Sequence, residues 1–133
     1  MKTILLVEDD LNLGALYEEE LSEAGYHMLR AGNGSDALKQ MAQHHLDLMV
    51  LELNLPGNPP GMDVMEQILA AQPGLMVIIN SGYDSYKDSF RSWSASAFVS
   101  KSSDLSELKS QIRQVLASQE SSVPVLQESK GSA

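Results

Sequence analysis

Four short apolar runs, Ile4-Leu5-Leu6-Val7, Leu48-Met49-Val50-Leu51, Met76-Val77-Ile78-Ile79 and Ala97-Phe98-Val99, alternate with longer stretches of helical spacing. This alternation constrains the fold more than any other feature of the chain. A run that is apolar at every position has no solvent face, and it suits a parallel strand covered on both sides. Parallel neighbours cannot be joined by a tight hairpin and need a crossover, usually a helix. The intervening segments supply such helices. Over Leu11–Ala24, Leu13, Leu16, Tyr17 and Leu21 share one face, with Glu18, Glu19 and Glu23 largely outside, and Gly25 ends the helix. Tyr26–Ala31 is a weaker second strand. Asn33-Gly34 marks a turn before a helix capped near Ser35 or Asp36 and running to about His44.

The loop Pro56-Gly57-Asn58-Pro59-Pro60-Gly61 separates the third strand from a helix over Met62–Ala71, and Pro73-Gly74 turns the chain into the fourth strand. A fourth helix is expected over Asp84–Trp93. The fifth carries an apolar stripe of Leu105, Leu108, Ile112, Val115 and Leu116. Five strand-helix units are therefore expected within residues 1–118, one domain of α/β class. Residues 119–133, rich in Ser, Gln, Glu and Lys, read as a polar flexible tail or linker stub.

Composition narrows the function classes. With 133 residues and 43% apolar content the chain can bury a core. Nine Lys and Arg against 18 Asp and Glu leave a net charge of −9, which opposes direct binding to nucleic acid or to an anionic membrane. The absence of Cys removes disulfides, thiol nucleophiles and thiolate metal sites, so any metal must be held by oxygen or imidazole. The first apolar run is too short for a signal sequence, and nothing approaches the length of a membrane span. A soluble, unexported, cytoplasmic protein is the expectation.

In an open parallel sheet the functional crevice lies outside the carboxyl ends of the strands. The strand-end residues here are Glu8-Asp9-Asp10, Glu52, Asn80-Ser81 and Ser100-Lys101. Glu8, Asp9 and Glu52 are hard oxygen ligands of the type Mg²⁺ takes, alongside water and phosphoryl oxygens. Ser81 would donate a hydrogen bond to a phosphoryl oxygen, and Lys101 would pair with it as a point charge. The combination reads as a phosphoryl pocket.

These motifs, in order, resemble the receiver domain of bacterial two-component response regulators. The resemblance covers residues 2 to about 117. It rests on Ile4 to Asp10, Asp47 to Gly57, Val77 to Tyr83 and Ala97 to Lys101. It implies a flavodoxin-like (βα)5 doubly wound parallel sheet of strand order 2-1-3-4-5. It also implies Mg²⁺ on an acidic pair matched by Glu8 and Asp9, with an acceptor carboxylate at position 52 phosphorylated by a histidine kinase. Ser81 and Lys101 match the phosphate-sensing hydroxyl and lysine, and Phe98 the switch aromatic. A non-enzymatic signalling role follows. The partner, a histidine kinase or other signalling protein, would bind the face of the fourth helix, fifth strand and fifth helix, including Tyr86, Arg91, Phe98, Ser103, Glu107 and Lys109.

The departure from the family pattern is Glu52, where the family has Asp. One more methylene moves the carboxylate by about 1.5 Å. A misplacement of about 1 Å can cost on the order of 100-fold in rate, so phosphorylation at Glu52 is expected to be impaired and Mg²⁺ binding weakened. Two consequences compete: the longer side chain reaches toward Lys101 and Ser81 and partly imitates phosphate, or it merely blocks the site. A conventional phosphoaccepting receiver is the alternative. Ser102 also replaces the Pro common after the lysine, and the loop carrying Asn58-Pro59-Pro60 is lengthened.

Simpler readings stand beside these. Acids after the first strand suit a helix N-terminus, Phe98 suits a core, and Trp93 suits either core or partner surface. His27, His44 and His45 read as surface residues without ligand spacing. A Mg²⁺-dependent phosphatase of α/β fold is the competing enzyme class. Its haloacid-dehalogenase form needs Asp where Glu8 stands, two residues before Asp10, and a topoisomerase-primase site needs Asp-x-Asp where Glu52-Leu53-Asn54 stands.

Overall fold

The computed structural model describes residues 1–82, 95–102 and 104–128, with side chains through residue 119. Five parallel strands, β1 (Thr3–Val7), β2 (His27–Ala31), β3 (Leu48–Leu51), β4 (Met76–Ser81) and β5 (Ala97–Ser100), form one sheet in the order β2-β1-β3-β4-β5. The helices are α1 (Leu11–Glu23), α2 (Gly34–Gln43), α3 (Gly61–Ala71) and α4 (Ser106–Glu128). The helix expected over residues 84–93, with Tyr86, Arg91 and Trp93, and also Ser103, lies outside the described residues.

Strand alternation divides the core in two. Leu5, Val7, Met49, Leu51, Val77 and Ile79 pack with Ala37 of α2 and with Val64, Met65 and Ile68 of α3. Ile4, Leu6, Leu48, Val50, Ile78, Ala97 and Val99 pack with Tyr17 and Leu21 of α1 and with Leu108, Ile112, Val115 and Leu116 of α4. Both faces are covered, which is why β1 and β3 are apolar at nearly every position.

The local signals are side-chain caps and close approaches. Asp10 caps α1 by accepting the Leu13 amide at 3.0 Å. Gly25, at φ +103°, turns the chain out of α1 in the left-handed conformation that glycine adopts freely. The cap of α2 is Asn33, whose side chain accepts the Asp36 amide at 2.8 Å. This corrects the expected cap at Ser35 or Asp36: the donor sits three residues after the cap, so the acidic residue lies inside the first turn.

The loop after β3 folds toward α2 and α3, where a Cβ on Gly34 would meet the Pro59 carbonyl at 2.6 Å and one on Gly61 would collide with the Leu53 carbonyl. The lengthened loop is thus seated on glycine backbone at the start of two helices. At the other end, α4 continues to Glu128, well past the last residue of its apolar stripe and through most of the segment read as a tail. Its first half is anchored on the sheet by Leu108, Ile112, Val115 and Leu116. The extension passes through Pro124, which has no N–H to donate within a helix.

Candidate functional site

The α1-facing rows of the sheet run Ile4-Leu6 on β1, Leu48-Val50 on β3, Ile78 on β4 and Ala97-Val99 on β5. Continuing each row by its two-residue period leads to Glu8, Glu52, Asn80 and Lys101. The register pairs Leu6 with Val50 and Val50 with Ile78, so Glu8, Glu52 and Asn80 stand at one level on three adjacent strands. The ladder itself extends this far: the Glu8 amide donates to the Ala31 carbonyl and the Glu52 amide to the Val7 carbonyl, both at 3.0 Å. An apolar face therefore ends in a polar row without any change of direction in the chain.

Glu8 and Glu52 are both buried, each 4% exposed. Between them lies the Lys101 ammonium, 2.7 Å from Glu8 Oε1 and 2.6 Å from Glu52 Oε1. The second oxygen of each carboxylate is also held. Glu8 Oε2 accepts the Asp10 amide at 3.0 Å, and Glu52 Oε2 accepts the Asn54 amide at 2.9 Å. Two buried carboxylates this close would repel strongly, and the shared ammonium with two backbone donors offsets both their repulsion and their desolvation. Burial alone would lower the Lys101 pKa, but the hydrogen bonds to Glu52 and Glu8 outweigh it and hold the pKa above its ordinary value.

Sequence reasoning did not assign Tyr17 to the pocket, yet it belongs there. Its ring is 1% exposed within the α1-facing core, and its hydroxyl meets the side-chain amide of Asn80. Burial pushes the phenol's pKa up, against the opposing influence of the Asn80 hydrogen bond and the Lys101 charge, with Glu8 and Glu52 adding to the rise. The available signal was a hydroxyl-bearing ring in an otherwise apolar stripe, since a buried Tyr hydroxyl needs a polar partner.

The other expected residues are placed as follows. Asp9 is exposed and makes no ion pair with a described residue, because the strand period turns it away from Glu8. Ser81 is fully buried and its carbonyl accepts the Lys101 amide at 3.0 Å. Phe98 is half-buried on the opposite face, packed against the α2–α3 cluster. Glu107 is exposed, and Lys109 reaches back to Glu20 at 2.6 Å. His27, His44 and His45 are exposed, and His45 lies 3.4 Å from Asp47.

The residues present do not fit Mg²⁺ in this arrangement. Among the described residues no three acidic or histidine side chains are grouped as a metal ion would require. The two buried carboxylates turn one oxygen each to an ammonium and the other to a backbone N–H. Mg²⁺ demands near-octahedral oxygen ligation at about 2.0–2.1 Å, which these engaged oxygens do not offer.

Comparison with known proteins agrees with the fold. A family model described as "Response regulator receiver domain" matches residues 4–113. The response regulator protein TrrA from Thermotoga maritima is similar at 35% identity and a TM-score of 0.79, covering 86% of this chain and 98% of that one. TrrA has been solved in complex with Mg²⁺-BeF and, separately, with the histidine kinase ThkA. Sporulation initiation phosphotransferase F of Bacillus subtilis is 26% identical over 116 residues, 85% of this chain and 92% of that protein. The probable transcriptional regulatory protein TcrX of Mycobacterium tuberculosis is 28% identical over 86% of this chain but 49% of its own length, so the chain spans about half of that relative. With the strand order, the strand-end carboxylates and the lysine already in place, the chain belongs to the receiver-domain family of two-component response regulators.

Proposed function

We propose that this receiver domain signals by regulated protein binding with Glu52 unphosphorylated. The observation that carries the reading is the 2.6 Å contact between Glu52 Oε1 and Lys101, made while Glu52 Oε2 is held by the Asn54 amide. A carboxylate that accepts a phosphoryl group must present an oxygen in line with the donor phosphorus, and here the Lys101 ammonium stands against Glu52 Oε1 while the Asn54 amide orients Oε2. The additional methylene misplaces the Glu52 carboxylate for transfer, and in this position it meets the lysine. Of the two consequences of Glu52, the geometry favours engagement of the lysine over mere blockage.

On this reading Ser81 and Lys101 occupy phosphate-sensing positions without a phosphate to sense, and Phe98 retains the switch position. Glu8, Asp9 and Glu52 correspond to the family's Mg²⁺ ligands, and Lys101 bridges the first and the last of them. The partner is a histidine kinase or another signalling protein, bound through the face that includes Phe98 and Glu107; the kinase complex of TrrA supports this class of partner. The role is non-enzymatic.

The test is incubation of the chain and its Glu52→Asp variant with Mg²⁺ and acetyl phosphate, followed by intact mass measurement. A phosphoryl adduct on the variant alone is expected. An adduct of equal yield on the unaltered chain would overturn the reading and return the domain to a working phosphorelay.

A further inference from the structure

We propose that Lys101 is the resident cation of this pocket, and that the domain neither takes up Mg²⁺ nor changes its state in response to it. The inference deepens the reading above and rests on the same engagement of Glu52. Two carboxylate oxygens on neighbouring strands, Glu8 Oε1 and Glu52 Oε1, converge on one point, and the Lys101 ammonium fills that point. A divalent ion seated between the same oxygens would have to approach each to about 2.1 Å, within a distance at which the ammonium cannot remain beside it. Binding would require eviction of a charge that both carboxylates stabilise, together with loss of the backbone hydrogen bonds that orient them.

Among the described residues the neighbours of the two carboxylates add no further metal ligand to the site. Asp9, which would contribute a third carboxylate, is directed to solvent. The interior side is occupied by Tyr17 and Asn80, both buried. The Asn80 side-chain N–H donates to the Tyr17 oxygen, and Asn80 Oδ1 is the one buried side-chain acceptor among the described residues without a hydrogen-bond partner. Among the described residues the pocket thus gathers one ammonium, one phenol and one amide around the two carboxylates. Glu52 reaches both the ammonium and the Asn54 amide, and an Asp at this position would set the carboxylate back by about 1.5 Å from the present contacts.

The experiment is calorimetric titration of the full chain with MgCl2, without a phosphodonor, beside the Glu52→Asp and Lys101→Met variants. Melting temperatures are measured in parallel in Mg²⁺ and in EDTA. The unaltered chain is expected to give no saturable binding across the millimolar range and one melting temperature in both buffers. Glu52→Asp is expected to gain saturable binding, tighter by roughly tenfold or more, in the range by which groups supporting a metal site alter affinity. Lys101→Met is expected to melt higher in Mg²⁺ than in EDTA; if that variant does not fold, Glu52→Asp decides alone. Saturable binding by the unaltered chain anywhere in the millimolar range would overturn the inference, as would absence of binding in Glu52→Asp. Mg²⁺ binding without a phosphoryl adduct on the unaltered chain would remove this inference alone, whereas an adduct would remove the reading beneath it.

Discussion

The two faces of the sheet begin alike and end differently. On each, alternate residues of β1, β3 and β4 build an apolar layer under two described helices. On the α2–α3 face the row of β3 continues past its end into Leu53, which is 5% exposed, while the rows of β1 and β4 end in exposed Asp9 and buried, uncharged Ser81, so no charged side chain is buried there. On the α1–α4 face the rows continue into Glu8, Glu52, Asn80 and Lys101, and α1 adds Tyr17. One residue of strand parity thus separates a packing surface from a charged pocket. The comparison teaches that the site is an extension of the core pattern, positioned by the same two-residue period and register that place the buried aliphatic side chains.

The largest expected effect falls on the charged end of the α1–α4 face. Lys101→Met leaves two buried carboxylates sharing no cation, and removal of one partner from a buried ionic cluster costs about 3–5 kcal/mol. Chemical denaturation should show this as a lower midpoint with an unchanged slope; a loss below that of a surface substitution would mean that the cluster contributes nothing. The apolar layers should be indistinguishable by comparison. Ile78→Ala and Ile79→Ala, on opposite faces and both fully buried, should each cost about 2–5 kcal/mol. A markedly smaller loss on one face would show that the two layers are not equivalent cores.

Tyr17→Phe removes only the hydroxyl at Asn80 and is expected to lower stability by about 1 kcal/mol. Equal stability of the two proteins would remove Tyr17 from the polar row. The smallest effect belongs to Asp104, outside both layers, which accepts the Ser106 hydroxyl at 2.7 Å and its amide at 3.0 Å. These bonds hold its pKa below the ordinary 3.8, so its contribution is complete above that pH and is lost as pH falls through the lowered value. The difference in melting temperature between the unaltered chain and Asp104→Asn should therefore shrink in acid. A difference independent of pH would contradict this assignment.

Much of the fold was legible because buried parallel strands leave continuous apolar runs, as at Ile4–Val7 and Leu48–Leu51. Glu8, Glu52 and Lys101 were legible because residues just after such strands face the functional edge of the sheet. What the sequence did not reveal depends on side-chain direction. Asp9 and Glu8 are adjacent and chemically equivalent, yet strand parity buries one and exposes the other. Tyr17 shares its helical stripe with Leu13, Leu16 and Leu21, and only packing against Asn80 shows that its hydroxyl is the relevant part. The seating of the Pro59 loop on Gly34 was out of reach for the same reason, since it depends on the approach of elements distant in sequence. The length of α4 was not legible because Pro124 and the Ser-rich residues around it read as the end of a helix, whereas α4 continues through them to Glu128.

The most direct test of the central claim is a crystal structure of the unaltered chain grown with Mg²⁺ and beryllofluoride, the combination in which its relative TrrA was solved. The expected result is Lys101 in contact with both Glu8 and Glu52, and no metal or beryllofluoride in the pocket. Beryllofluoride on Glu52 with Mg²⁺ beside Glu8 and Asp9, and Lys101 withdrawn from the carboxylate, would contradict it.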